Sequence, residues 1–304
     1  MKKQQVIVIA GPTASGKTKL AIELAKKING EIISCDSMQI YKEMNIGTAK
    51  PTLEEMQGIP HYMIDIISPE ERFSVSDYKT MAEQKIEEVL QKGKVPILVG
   101  GTGLYVNSLI YGIEFVEIEY DEKYRQELEK RVETEGLQTL YEEAQQIDEE
   151  AMKIISANDK KRILRVLEIF HQTGMTKTKQ DELSRKNGPK YDYKVFAINI
   201  DREILYNRIN KRVDQMLEDG LIKEVEDIYG KYNSFPTAMQ GIGYKEVVEY
   251  LQKNISKEEM IEKIKQESRR YAKRQLTWFR KNKEIIWLDG LNDIQNNIKI
   301  ILGE

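Results

Sequence analysis

Gly11-Pro12-Thr13-Ala14-Ser15-Gly16-Lys17-Thr18 carries the spacing G-x4-G-K-[ST], a pattern that holds phosphates. Its glycines let the backbone wrap so that N–H groups and the next helix N-terminus face an anion. Lys17 adds a point charge, and the Thr18 hydroxyl can ligate Mg2+. The bland alternative is a chance glycine-rich turn. Against it stand the flanking segments, QQVIVIA and KLAIELAKKI, which read as strand and helix.

A nucleoside triphosphatase built on this loop also needs a hydrophobic strand ending in an Asp that holds Mg2+. Here KVPILV runs into Gly100-Gly101 with no carboxylate. The other candidate is Asp36, after EIISC. It can serve as a metal ligand or as a general base facing a nucleophile, or it can merely cap the following turn. In DREILYNRINKRVDQML, Leu205, Ile209, Val213, Met216 and Leu217 make one apolar face. Arg208 and Arg212 lie one helical turn apart, either surface residues or charges that stabilise a leaving group. The segment RRYAKRQLTWFRKNK interleaves Tyr271, Trp278 and Phe279 with cations. Seven residues separate Tyr271 from Trp278, so both are expected to face the core. The cations then meet RNA phosphates or simply solubilise the helix. His171 follows an apolar helical run and reads as a packed or capping residue.

The frame that positions these residues is an α/β fold. QQVIVIA, EIISCD, KVPILVG, KVFAINI and EIIWLD read as strands separated by helical stretches. That alternation implies a P-loop NTPase-like parallel sheet flanked by helices, with its ligand site at the strand C-termini. Asp36 and the Gly100-Gly101-Thr102-Gly103 turn both fall there. A helical insertion is expected over 120–180, leaving 1–119 and 181–304 as the core with a helical C-terminal part.

Composition sets the outer bounds. The chain has 304 residues, 40% hydrophobic and 32% charged, and a net charge of −3. Two lysines and an apolar run open it, but the run leads into the glycine motif and reads as a buried strand rather than a signal peptide. No apolar run is long enough to span a membrane. One cysteine, Cys35, and two histidines, His61 and His171, exclude a disulfide framework and a Cys/His zinc site. A cytoplasmic location follows as an expectation. Charge is segregated: Glu114 to Lys153 holds 14 acidic against 5 basic residues, whereas Lys263 to Lys283 holds 9 basic against one acidic.

The chain resembles the tRNA dimethylallyltransferases, also called tRNA isopentenyltransferases. The likeness runs through GPTASGKT (11–18), DSMQIY (36–41), IGTAKP (46–51), VGGTGLY (99–105), NDKKRILRVLEIF (158–170), KRVDQML (211–217), GIGYKE (241–246) and YAKRQLTWFR (271–280). It implies transfer of a dimethylallyl group from dimethylallyl diphosphate to N6 of an adenine beside the tRNA anticodon. Asp36 would take the N6 proton, Thr102 would hydrogen-bond at the reaction centre, and Lys17, the loop amides, Mg2+ and Arg212 would stabilise the departing diphosphate. The missing carboxylate after KVPILV is then tolerable, because no phosphoryl group is transferred.

By the same resemblance the tRNA side is lined by Asp36, Ser37, Met38 and Gln39, by Thr102, and by Lys161, Arg162, Ile163, Leu164 and Arg165. Gln240, Gly241, Ile242, Gly243, Tyr244 and Lys245 complete it, with Arg125 a helical-insert contact. The strongly acidic insert either turns its few cations to the anticodon stem-loop or meets it by shape. Lacking the Cys/His zinc module of eukaryotic relatives, the chain resembles the compact bacterial form and is expected to be a monomer. Two rival readings use the same loop: a small-molecule kinase, which needs no RNA, and a nucleotide-gated RNA-binding module without chemistry.

Overall fold

The structure is a computed structural model that describes residues 3–115 and 121–304. The chain forms two compact units, one from the chain up to Ile110 together with Lys190–Glu304, the other from Tyr111–Pro189. The boundary expected between 119 and 120 lies outside the described residues.

In the first unit, strands β1 (Gln5–Ala10), β2 (Gly30–Ser34), β3 (His61–Tyr62), β4 (Val95–Gly100), β5 (Asp192–Asn199) and β6 (Ile286–Asp289) form one sheet in the order β3-β2-β4-β1-β5-β6. Every pairing is parallel, which is the expected fold class. Helices α1 (Lys17–Ile28), α2 (Leu53–Met56), α3 (Val75–Gln91) and α4 (Gly103–Ile110) precede the second unit. That unit holds α5 (Glu122–Glu135), α6 (Leu137–Ile147), α7 (Glu149–Met152), α8 (Lys160–Thr173) and α9 (Lys177–Ser184). The first unit resumes with α10 (Arg202–Glu218), α11 (Leu221–Lys231), α12 (Tyr244–Leu251), α13 (Lys257–Phe279) and α14 (Ile294–Leu302).

Side-chain alternation decides the two faces of β1. Val6, Val8 and Ala10 pack with Tyr78, Ala82 and Ile86 of α3. Ile7 and Ile9 pack on the other face with Leu20 and Leu24 of α1. A strand buried on both faces reads as a continuous apolar run, and QVIVIA is one. Ile40, Tyr41 and Met44 join a third core built on α10 to α13. Because β1 sits between β4 and β5, the chain leaves it for opposite halves of the sheet, and the crevice at its C-terminal end is where such folds bind ligands.

One glycine places Asp36. A Cβ on Gly100 would stand 2.3 Å from the Cys35 carbonyl oxygen. Without it, Cys35 N–H donates to Val99 O (2.7 Å) and Thr102 N–H to Cys35 O (3.1 Å), extending the β2–β4 pairing one step beyond both strands. Asp36 follows at the point where that pairing ends.

Candidate active site

The phosphate loop bridges β1 and α1. Ala14 adopts φ 61° and Gly16 φ 91°, the left-handed bends that curl the backbone. Lys17 Nζ donates to Pro12 O at 2.6 Å. Burial pushes the Lys17 ammonium down to about 7, Arg212 adds to the shift, and Asp36 opposes it. The Ser15 hydroxyl is buried without a hydrogen-bond partner. Ser15, Gly16, Lys17 and Thr18 border a cavity of about 680 Å³. An unused hydroxyl and a charge lacking a close carboxylate fit an incoming diphosphate, whose charge would favour the ammonium form. Among the described residues no cluster of three His, Cys, Asp or Glu could hold a metal. Mg2+ at Thr18 would therefore share its coordination with the ligand's oxygens, the usual manner for this ion.

Asp36 does cap the turn after it: its Oδ1 accepts Met38 N–H (2.9 Å) and Gln39 N–H (3.3 Å). It also borders two further cavities, one of about 100 Å³ shared with Lys17 and Thr18, the other of about 340 Å³. The turn-capping reading is therefore met, by a carboxylate that also faces open space. Thr102 Oγ1 accepts Ser37 N–H (3.1 Å) and donates to Ser37 Oγ (3.3 Å), which fixes the segment beside Asp36. Burial, with Asp36 adding to it, pushes the Tyr271 hydroxyl up to about 12, and the neighbouring Thr102 and Gln275 side chains oppose the shift. Gln275 in turn accepts Thr13 N–H at 2.9 Å and donates to Gly101 O at 3.0 Å. One side chain of α13 thus pins the phosphate loop to the turn after β4.

Arg212 borders all three cavities and donates to Thr13 Oγ1 at 3.5 Å. Arg208, its expected companion, is exposed and borders none of them. A helix turn separates them, yet only Arg212 lies over the crevice. Leu205, Ile209 and Val213 are buried as the periodicity requires.

The 340 Å³ cavity draws on Asp36, Ser37 and Met38, Gly47 and Thr48, Gln240 to Gly243, Lys245, Tyr271 and Arg274. Gln39 borders the smaller cavity instead, its amide donating to Thr48 O and Ala49 O at 3.3 Å. Tyr244 differs from the expectation. It is buried and lines none of these three cavities, and its hydroxyl donates to Glu224 Oε1 at 2.6 Å. Glu224 also accepts Asn45 N–H (2.9 Å), Ile46 N–H (2.7 Å) and Gly47 N–H (3.1 Å). This carboxylate ties the 45–47 loop to the start of α12, joining two walls of the cavity. No spacing rule marks a glutamate in the first turn of a helix for that task.

In the second unit Ile163 and Leu164 are fully buried in its own core, so neither can touch RNA; apolar periodicity within KKRILRVLEIF takes them inward. Arg125 is held by Glu129 and Glu168 at 2.9 Å, Arg162 by Asp159 (2.5 Å) and Arg165 by Glu168 (3.3 Å). Lys161 sits beside Arg162 on the first turn of α8. His171, exposed in the last turn of α8, stacks on Tyr124 with centroids 3.7 Å apart. On α13, Phe279 is buried but Trp278 is not: 39% of it is exposed, against the expected core position.

A family model described as IPP transferase matches residues 39–282. The chain belongs to the IPP transferase family. The tRNA dimethylallyltransferase of Acetivibrio thermocellus is 50% identical over 297 residues, covering 97% of this chain and 95% of that protein. That of Bacillus anthracis is 47% identical over 289 residues, covering 95% and 92%. The full-length tRNA isopentenylpyrophosphate transferase from Bacillus halodurans superposes with a TM-score of 0.74 at 44% identity, covering 99% of this chain and 96% of that one. A eukaryotic dimethylallyltransferase captured acting on tRNA gives a TM-score of 0.81 at 32% identity, covering 99% and 80%.

Proposed function

We propose that the chain transfers a dimethylallyl group from dimethylallyl diphosphate to N6 of an adenine beside the anticodon of tRNA, releasing diphosphate. The observation that carries this reading is the position of Asp36. Its carboxylate borders both a cavity edged by Lys17 and Thr18 and a larger one edged by Gly47, Ile242 and Arg274. The first suits a diphosphate and the second a flat base.

The adenine amine is a weak nucleophile because its lone pair is delocalised into the ring. As N6 bonds to the allylic carbon, the carbon–oxygen bond to diphosphate breaks and the diphosphate leaves with the electron pair. Asp36 accepts the N6 proton. Thr102 keeps the 36–37 segment in register, and Lys17, Arg212 and the loop amides stabilise charge on the leaving oxygens. Mg2+, when bound, supplies further charge neutralisation there, with Thr18 the residue that would hold it. The adenine must leave its stack to reach the cavity, which an anticodon loop permits more cheaply than a duplex. The working species in this reading is a single chain in the cytoplasm. Among the described residues no helix is long and apolar enough to cross a membrane.

The test is incubation of the purified chain with unmodified tRNA, labelled dimethylallyl diphosphate, ATP and Mg2+, followed by nucleoside mass analysis and assay of ATP hydrolysis. Prenylated adenosine supports the reading. Label that never enters RNA, with ATP hydrolysed instead, overturns it in favour of the kinase.

A further inference from the structure

Three residues on one side of α13 approach the site in succession. Tyr271 borders the two cavities that share Asp36. Gln275, one turn on, bonds the phosphate loop and Gly101 O. Trp278 is the next, and it lies against the Thr102–Gly103 turn: a Cβ on Gly103 would stand 2.3 Å from its Cδ1 and 2.5 Å from its Nε1. Glycine at 103 leaves room for the indole, yet 39% of the residue stays exposed. Leu104, next along α4, is 44% exposed. A core tryptophan would not be left in this state. The charged residues of its own segment, 273–283, have one sign: Lys281 Nζ lies 6.0 Å from the ring centroid, and Lys273, Arg274 and Arg280 are exposed. The nearest acid on α13, Glu267, is paired with Arg270 at 2.6 Å.

An exposed aromatic plane among cations, seated on the turn that carries Thr102, matches a base attached to a polyanion. We infer that Trp278 is the stacking platform for a nucleobase of the RNA acceptor, the neighbour left unstacked when the adenine enters the cavity. The inference rests on the transferase reading. Stacking there offsets part of the cost of extruding the adenine and sets its approach to Asp36, so Trp278 is a binding residue and not a catalytic one.

The chain has only two tryptophans, Trp278 and Trp287. Trp287→Phe therefore leaves Trp278 as the sole indole fluorophore. Titrating this variant with an unmodified anticodon stem-loop RNA should quench its emission in step with binding followed by anisotropy of end-labelled RNA. In the natural background, Trp278→Leu should raise the KM for the stem-loop about 5- to 150-fold, the range of one base–aromatic stack. The KM for dimethylallyl diphosphate should stay within about twofold, and Trp278→Phe should restore most of the loss. Saturating RNA without quenching, or equal RNA KM for Trp278→Leu and the unchanged chain, overturns the inference while prenylation of the stem-loop by the unchanged chain still upholds the reading beneath it. No prenylation by the unchanged chain overturns both.

Discussion

The two walls that meet at Asp36 are built by opposite means. The phosphate side comes from one contiguous run, Gly11–Thr18, whose working parts are backbone amides, a lysine and hydroxyls. The acceptor side is gathered from residues 36–38, 47–48, 240–243, 245 and the 264–274 stretch of α13, brought together by side chains reaching for distant backbone. Glu224 is its fastener. A contiguous wall should tolerate the removal of tertiary contacts and fail when its own residues change. A gathered wall should fail when a fastener goes, even one that touches no substrate.

The largest effect is expected where the walls meet. Asp36→Ala should cut turnover about 10²- to 10⁴-fold, the general-base range, while donor affinity stays near normal. Single-turnover kinetics with saturating donor and stem-loop RNA separates the two, and turnover within a few-fold of the natural chain would remove Asp36 from the chemistry. Next comes the phosphate side alone. Lys17→Ala removes a charge-assisted interaction worth about 1.5–3 kcal/mol, so donor affinity should fall roughly 10- to 100-fold. RNA affinity should not move. Equilibrium binding of labelled dimethylallyl diphosphate and of stem-loop RNA to the same variant decides it, and loss of both would mean that the loop supports the whole crevice.

Glu224→Ala tests the gathered wall. Three backbone donors and the Tyr244 hydroxyl lose their acceptor, and kcat/KM for RNA should drop about tenfold or more. Tyr244→Phe, which deletes only one of the four bonds, should cost about 2- to 10-fold. A thermal melt accompanies both, because a residue that only stabilised the fold would lower the melting temperature without the graded loss in kcat/KM. Equal kinetics for the two variants would break the comparison.

This contrast also explains what is legible in the chain directly. The phosphate loop, five of the six strands and the apolar face of α10 obey local periodicity or a fixed spacing, so they can be read from sequence. β3, two residues long, carries no period. Asp36 is legible as an isolated carboxylate after a strand, but its place on two cavities needs Gly100 to let Cys35 approach. Met216 and Leu217, expected in the core, reach it only in part. Trp278 departs from its expected place because seven-residue spacing from Tyr271 puts both on one side of α13, without saying that the start of α4 lies under one of them. Ile163 and Leu164 are expected at the tRNA through a motif whose polar members share their helix, and apolar periodicity turns them inward instead. Glu224 and Gln275 work across about 180 and 260 residues of chain, distances at which no sequence pattern operates.

The smallest effect concerns the cations of α13, and it separates those already engaged from those still available. Arg269 donates to Asn210 Oδ1 and Arg270 to Glu267 Oε1, both at 2.6 Å. Arg274 lies over the Tyr271 ring, 5.6 Å from its centroid, and borders the acceptor cavity, with Lys273 exposed beside it. Each cation withdrawn from a phosphate lowers the slope of log affinity against log salt by about 0.7 to 0.9. Changing Lys273 and Arg274 together to Gln should therefore flatten the slope for stem-loop RNA by about 1 to 2. The same change at Arg269 and Arg270 should alter it by roughly half that or less, since bonds within the protein already hold both guanidinium groups. Anisotropy titrations over a series of salt concentrations give both slopes. If the two pairs flatten it equally, the internal bonds of Arg269 and Arg270 yield to RNA, and the whole helix face, not its cavity end alone, is the electrostatic part of the gathered wall.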